Sequence, residues 1–173
     1  MDRQFVIRAA SPSDAASLSD FASQQFRATY SADTPAPDLE AYISENFTAE
    51  KQSEEITHSG SDVLIAAIGE KIVGFAHVEF QAGLTPSAFL NRIYVEQSWK
   101  GKAVGSALLA EVVGKARGLG AERIKLTVYE KNARAVAFYK KAGFSVIGTE
   151  VFPVGEDRQT DLVMERLLVQ LPR

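Results

Sequence analysis

The chain is predicted to fold as one α/β domain of the α+β kind, built on a mixed, largely antiparallel sheet. Three observations predict it. Apolar segments of strand length alternate with segments of helical period along the chain. A tight turn signal at Gly69-Glu70 sits between two apolar runs and forces an antiparallel pair. No repeat, low-complexity tract or linker divides the 173 residues. A domain of that length buries roughly two-thirds of its unfolded surface, so a single domain is expected over residues 1–173.

Phe5 to Arg8 is short and apolar enough to open the sheet. Ser11-Pro12-Ser13-Asp14 reads as a helix start: Ser11 can accept from an orphan amide, Pro12 has a preset φ, and Asp14 suits the first turn. Ala15, Leu18, Phe21, Ala22 and Phe26 follow as one buried stripe. Pro35-Ala36-Pro37 breaks the chain. Asp38 then starts a second helical pattern with Leu39, Tyr42, Ile43 and Phe47 on one side. Its other side is acidic, with Asp38, Glu40, Glu45, Glu50, Glu54 and Glu55 against Lys51. Val63–Ile68 and Lys71–Phe80 form the hairpin, in which Gly at the first turn position suits type II′.

Phe89 to Val95 is a further strand, rich in aromatic and β-branched residues. Val104 to about Arg117 is a helix carrying Leu108, Leu109, Val112 and Val113, ended by Gly118-Leu119-Gly120. Ile124–Tyr129 alternates as a strand, and Asn132–Lys141 is a short helix closed by Gly143. Phe144–Val151 and Thr160–Leu168 are the last strands, around turn material from Pro153 to Asp157.

Composition narrows the chemistry. Nineteen Lys and Arg against 22 Asp and Glu give a net charge of −3, so no global basic field recruits nucleic acid or an anionic membrane. The balance is uneven: residues 1–91 hold 5 basic and 13 acidic side chains, and residues 92–173 hold 14 and 9. Such polarity suits two partners of opposite charge, or simply reflects solvated helix faces. Without cysteine there is no disulfide, zinc-thiolate site or cysteine nucleophile. Met1-Asp2-Arg3-Gln4 and the three apolar residues after it do not make a signal peptide, and the cytoplasm is the expected compartment.

The informative junction lies where the strand ending at Val95 runs into the helix starting at Val104. Several backbone N–H groups at such a helix start lack intrahelical partners and point the same way, with the positive end of the dipole behind them. Gly101, Ala103 and Gly105 let an anion approach the backbone, and Lys100 and Lys102 add charge. A phosphate cradle and a plain strand-to-helix turn both fit. Neither G-x-x-x-x-G-K-[ST] nor G-x-G-x-x-G is present, which argues against ATP and nicotinamide dinucleotides.

Lys100-Gly101-Lys102-Ala103-Val104-Gly105 resembles the Arg/Gln-x-x-Gly-x-Gly/Ala pyrophosphate loop of the GNAT family of N-acetyltransferases, which bind acetyl-CoA. Lys100 stands where Arg or Gln is usual, and Ala103 where Gly is usual. Downstream, Asn132-Ala133-Arg134-Ala135-Val136-Ala137-Phe138-Tyr139-Lys140-Lys141-Ala142-Gly143-Phe144 is similar to the family's Asn-x-x-Ala-x-x-Phe/Tyr-Tyr-x-x-x-Gly-Phe segment at every marked position. The resemblance spans nearly the whole chain. Leu90 to Val95, with Phe26, Tyr42 and Phe47, looks most like bacterial members that acetylate polyamines or related small amines.

The resemblance implies six to seven strands with helices on both faces, and a splay between the fourth and fifth. It implies acetyl-CoA as co-substrate and no metal. The pantetheine arm would pair with the freed backbone of Ile93 and Val95, an amide near Tyr94 would polarise the carbonyl, and Asn132 would bond the arm from the far side. Lys100, Gly101, Lys102, Ala103, Val104, Gly105 and Ser106 would hold the diphosphate, with Ala135, Phe138, Tyr139 and Lys141 completing the coenzyme site. Lys140 and Lys141 reach phosphate or stand solvated. Trp99 serves as a hydrophobic lid or an adenine stacker.

Acetyl transfer needs a neutral amine, although an alkyl ammonium of pKa near 10.4 is only about one part in a thousand neutral at physiological pH. It also needs a proton for the departing thiolate, and Tyr139 resembles the family's general acid. The usual base positions hold Asn91 and Phe89, which take no proton. Glu79, with His77 on the same strand face, is the remaining carboxylate candidate, and release to ordered water is the other route. Without cysteine, the amine attacks directly. A small amine is the expected acceptor, drawn by the acidic second helix. A protein lysine or N-terminus, a non-catalytic acyl-CoA-binding module, and a homodimeric assembly stay open.

Overall fold

The computed structural model describes residues 4–168. Residues 1–3 and 169–173 lie outside the described residues, and with them the Met1–Arg3 stretch read for a leader and both ends of the expected domain. The elements in chain order are β1 (Val6–Ala9), α1 (Ala15–Tyr30), α2 (Ala36–Asn46), α3 (Ala49–Thr57), β2 (Ser61–Ile68), β3 (Lys71–Gln81) and β4 (Ser87–Val95). Then follow α4 (Val104–Gly118), β5 (Arg123–Tyr129), α5 (Ala133–Lys141), β6 (Ser145–Val154) and β7 (Asp157–Leu167).

The strands form one seven-stranded sheet in the order β1-β2-β3-β4-β5-β7-β6, antiparallel everywhere except between β4 and β5. Helices cover both faces, because alternate residues of the central strands are apolar on both sides. On one face Leu64, Val73, Leu90, Ile124, Leu126 and Met164 pack with Leu108 and Val112 of α4 and Tyr139 of α5. On the other, Val63, Ile65 and Phe75 pack with Leu18 and Phe26 of α1 and Leu39 and Ile43 of α2. Gly74 brings α4 close to β3, since a Cβ there would lie 2.8 Å from Val104 Cγ1.

The β2–β3 hairpin turns at Gly69, φ +58°, with Glu70 at negative φ, as a type II′ turn requires. Four sequence expectations are corrected. The second helical pattern is two helices, because Phe47 leaves helical geometry and the Thr48 hydroxyl caps α3, accepting from Lys51 N–H at 3.1 Å. At the first helix Ser11 and Asp14 form a capping box, the Asp14 carboxylate accepting from Ser11 N–H at 2.8 Å, but what they open is a 3₁₀ turn over Pro12–Asp14, after which α1 proper begins. Pro153 is not turn material but sits in β6, an edge strand, where its missing N–H breaks no ladder bond. The β6–β7 turn is only Gly155-Glu156.

Candidate active site

Parallel pairing between β4 and β5 runs from Ser87 opposite Arg123 to Leu90 opposite Leu126, and stops there. A β-bulge helps to end it: His77 faces Arg92 while Val78 faces Leu90, so Asn91 is the extra residue on β4. Beyond it the strands diverge. A cavity of about 590 Å³ passes through the opening and is lined from both faces of the sheet.

Its first wall is the start of α4 with the end of β4 and α5. Ile93, Tyr94, Val95, Lys100, Gly101, Ala103, Val104, Gly105, Ser106, Asn132, Ala135, Phe138, Tyr139 and Lys141 all line the cavity. Of the expected coenzyme residues, Lys102 does not: its ammonium lies over the Trp99 ring, 4.9 Å from the centroid. Trp99 also packs edge-on against Phe5, with centroids 6.4 Å apart.

Gly101 has φ +80° and Ala103 φ +67°, so the loop alternates through left-handed backbone on its way into the helix. For alanine that conformation costs about 1–2 kcal/mol. The first helical bond runs from Ala107 N–H to Ala103 C=O, 3.0 Å, which leaves the amides of Val104, Gly105 and Ser106 without helical partners. Arg134, which sequence reasoning passed over as an unmarked motif position, lines the same wall. Burial, with the Arg134 charge nearby, pulls the Lys100 ammonium below its ordinary value. Among the described residues neither Lys100, Arg134 nor Lys141 is in an ion pair. Unpaired amides and cations together suit an anion.

Asn132 caps α5, its side-chain oxygen accepting from Ala135 N–H at 3.2 Å. Tyr139 is 8% exposed and packs edge-on between Phe138 and Phe144, at 5.2 and 5.7 Å. Burial pushes its phenol well above the ordinary value, so the proton stays in place at neutral pH.

The second wall lies on the α1–α2 face. Phe26 and Tyr30 of α1, Tyr42 of α2, Tyr94 of β4, Tyr129 of β5 and Phe152 of β6 meet there as an aromatic cluster. Phe26 and Tyr42 stack at 4.7 Å; Tyr30 lies 5.2 Å from Tyr129 and 6.2 Å from Phe152, and Tyr42 lies 5.4 Å from Phe152. Asp161 of β7, directly across the ladder from Tyr129, is the one carboxylate on the cavity lining. Sequence reasoning missed it, although a lone acid inside the apolar strand 160–164 was the available signal.

Glu79 does not reach this cavity. It is exposed and lies between Ser61 and Phe89 in the β2–β3–β4 ladder, on the paired side of the bulge. His77 is buried, its Nδ1 3.6 Å from a Glu55 oxygen, and burial pulls its pKa down. The acidic second-helix face is not a free funnel either. Glu55 is bound bidentately by Arg92 at 2.8 and 2.9 Å, Glu40 by Arg27 at 2.7 and 2.9 Å, and Asp38 accepts from Glu156 N–H at 2.9 Å. None of its six acids lines the cavity.

The sheet opened between β4 and β5, the helix start with its cations and the buried phenol beside the opening agree with the arrangement that the resemblance to the N-acetyltransferases implies. Residues 22–144 match the Acetyltransferase (GNAT) family, and the chain belongs to it. An uncharacterized N-acetyltransferase of Mycobacterium bovis is 31% identical over 131 residues, 76% of this chain and 83% of that protein. Spermidine N(1)-acetyltransferase of Thermoplasma acidophilum is 27% identical over 164 residues, 92% of this chain and 95% of that protein. The crystal structure of the PaiA N-acetyltransferase of the same organism, in complex with coenzyme A, superimposes with a TM-score of 0.81 at 26% identity, covering 96% of this chain and 99% of that one.

Proposed function

We propose that this enzyme moves the acetyl group of acetyl-CoA onto a primary amine by direct attack, and that the acceptor is a small molecule such as a polyamine. One observation carries the reading: a single cavity joins a cationic helix start to an aromatic, acidic wall through the opening in the sheet. The relatives support it, one being a spermidine acetyltransferase and one a structure holding coenzyme A.

The unpaired amides at Val104, Gly105 and Ser106, with Lys100, Arg134 and Lys141, fit a diphosphate: backbone donors and cations meet without competing carboxylates. The backbone of Ile93 and Val95, left unpaired by β5, fits the amide-bearing pantetheine arm as an added strand. The acceptor enters from the α1–α2 face. Its nitrogen bonds to the acetyl carbon, the carbon–sulfur bond breaks, and Tyr139 gives its proton to the sulfur. The excess proton of the nitrogen leaves to water, from which Tyr139 recovers its own; Asn91, which lines the cavity at a usual base position, takes no proton. Cysteine being absent, no acetyl-enzyme on sulfur intervenes.

Thiol release from acetyl-CoA, measured side by side with spermidine, spermine, amino acids and aminoglycosides, tests the reading. Turnover with the polyamines is expected. Turnover confined to another class would refute the polyamine acceptor and leave amine acetylation standing, and tight coenzyme binding without thiol release from any acceptor would refute catalysis.

A further inference from the structure

Asp161 is 4% exposed, and its Oδ1 is buried with no hydrogen-bond partner. A buried anion without a partner is costly and calls for a cation. Among the described residues none forms an ion pair with it: Arg92, on the same wall, is committed to Glu55 and lies over Phe47, 5.0 Å from its centroid. Asp161 shares the cavity lining with Tyr30, Tyr42, Tyr94 and Tyr129, which arrive from four separate elements, and Tyr129 is its ladder partner. Ring faces attract cations, and a carboxylate among them completes a box for an ammonium group.

Given amine acetylation as the reaction, the box suits the nitrogen that does not react. The attacking amine has to be neutral, whereas rings and carboxylate all favour the charged form. We propose that Asp161, with the faces of Tyr30, Tyr42, Tyr129 and Phe152, is a subsite for a second, non-reacting ammonium of the acceptor, so that the enzyme selects diamines and polyamines over monoamines. The substrate then supplies the cation that the fold withholds. Burial raises the Asp161 carboxyl, the Thr127 hydroxyl partly offsets this, and Glu150 and Glu130 add negative field, which together place it at about 6. Arg92 and the four phenols are the other titratable groups on this wall, and none of them titrates between pH 5 and 8. Ammonium binding is therefore expected to weaken as pH falls through about 6.

The test compares 1,4-diaminobutane with 4-aminobutan-1-ol, which differ only in the far group, for the full chain and for Asp161→Asn. Wild type is expected to favour the diamine by at least about tenfold in kcat/KM, through KM, and Asp161→Asn to bring the ratio near one. Phe152→Leu, which removes a ring at the mouth of the box, is expected to lower the ratio several-fold. A ratio unchanged in Asp161→Asn would overturn the subsite. So would an equal loss of kcat with both acceptors and steady KM, which would assign Asp161 to proton removal. Calorimetric titration with 1,4-diaminobutane alone separates this from the reaction itself. If no amine releases thiol, the proposed function fails, and binding by wild type but not by Asp161→Asn still upholds the subsite, while equal binding by both overturns it.

Discussion

The two walls of the cavity are made of different material. The first is backbone and cation: three free amides at a helix start, the left-handed Gly101 and strained Ala103 of the loop, and Lys100, Arg134 and Lys141. The second is ring and anion: six aromatic side chains and Asp161, with the cation Arg92 neutralised by Glu55. A wall that uses the main chain has few ways to vary, because the amides of a helix start are the same in any sequence. A wall that uses side chains can be rewritten one residue at a time. On the proposed function, the family's shared chemistry then rests on the first wall and the choice of acceptor on the second.

Substitutions can break that division or sharpen it. The largest effect is expected at Tyr139, which stands between the walls. Tyr139→Phe keeps the packing on Phe138 and Phe144 and removes the proton, so kcat should fall by about 10²-fold with both KM values little changed; full turnover would end its role as acid. Next is Asp161→Asn, read as stability. The folded protein holds the Asp161 proton up to about pH 6, above the ordinary carboxylate value of 3.8, so wild type loses stability as pH rises between these values. The asparagine variant escapes that loss and should be more stable above pH 6 by up to about 3 kcal/mol, the difference vanishing below about pH 3. Thermal melts across pH check this, and a pH-independent difference would contradict it.

Smaller effects belong to the first wall. Lys100→Ala and Arg134→Ala should each raise KM for acetyl-CoA by about tenfold, less at high salt, and leave the preference between acceptors alone. A shift in acceptor preference would show that the walls are not separable. The smallest effect is expected for Ala103→Gly. It removes left-handed strain but loosens the unfolded chain, so the net gain should be about 0.5 kcal/mol, seen as a rise in Tm of roughly 1–2 °C.

The first wall was largely legible in the sequence because it is local. Its anchors lie within 93–106 and 132–141, and the spacing of Gly101, Gly105, Asn132 and Tyr139 survives any misplacement of distant strands. The type II′ turn at Gly69 was legible for the same reason. The second wall was not. Tyr30, Tyr129, Phe152 and Asp161 are brought together by the strand order β4-β5-β7-β6, which hydropathy does not encode. Arg134 looked like any solvated helix residue, and only the approach of α5 to the loop at Lys100 reveals its use. The apolar run Leu39 to Phe47 reported a buried face correctly but hid the break before Thr48, because the stripe continues with Ile56 on α3.

The half-closed seam between β4 and β5 has a mechanical meaning. Four paired residues weld the plate β1–β4 to the plate β5–β7, and past the bulge the sheet is unstitched. The sheet is thus least stitched in the middle of the molecule. With the coenzyme arm laid along the free edge of β4 as proposed, the arm supplies the missing thread, and the enzyme should gain about 1.4 kcal/mol of stability for every tenfold of acetyl-CoA above Kd. The sheet itself is then the part that yields and tightens with each turnover.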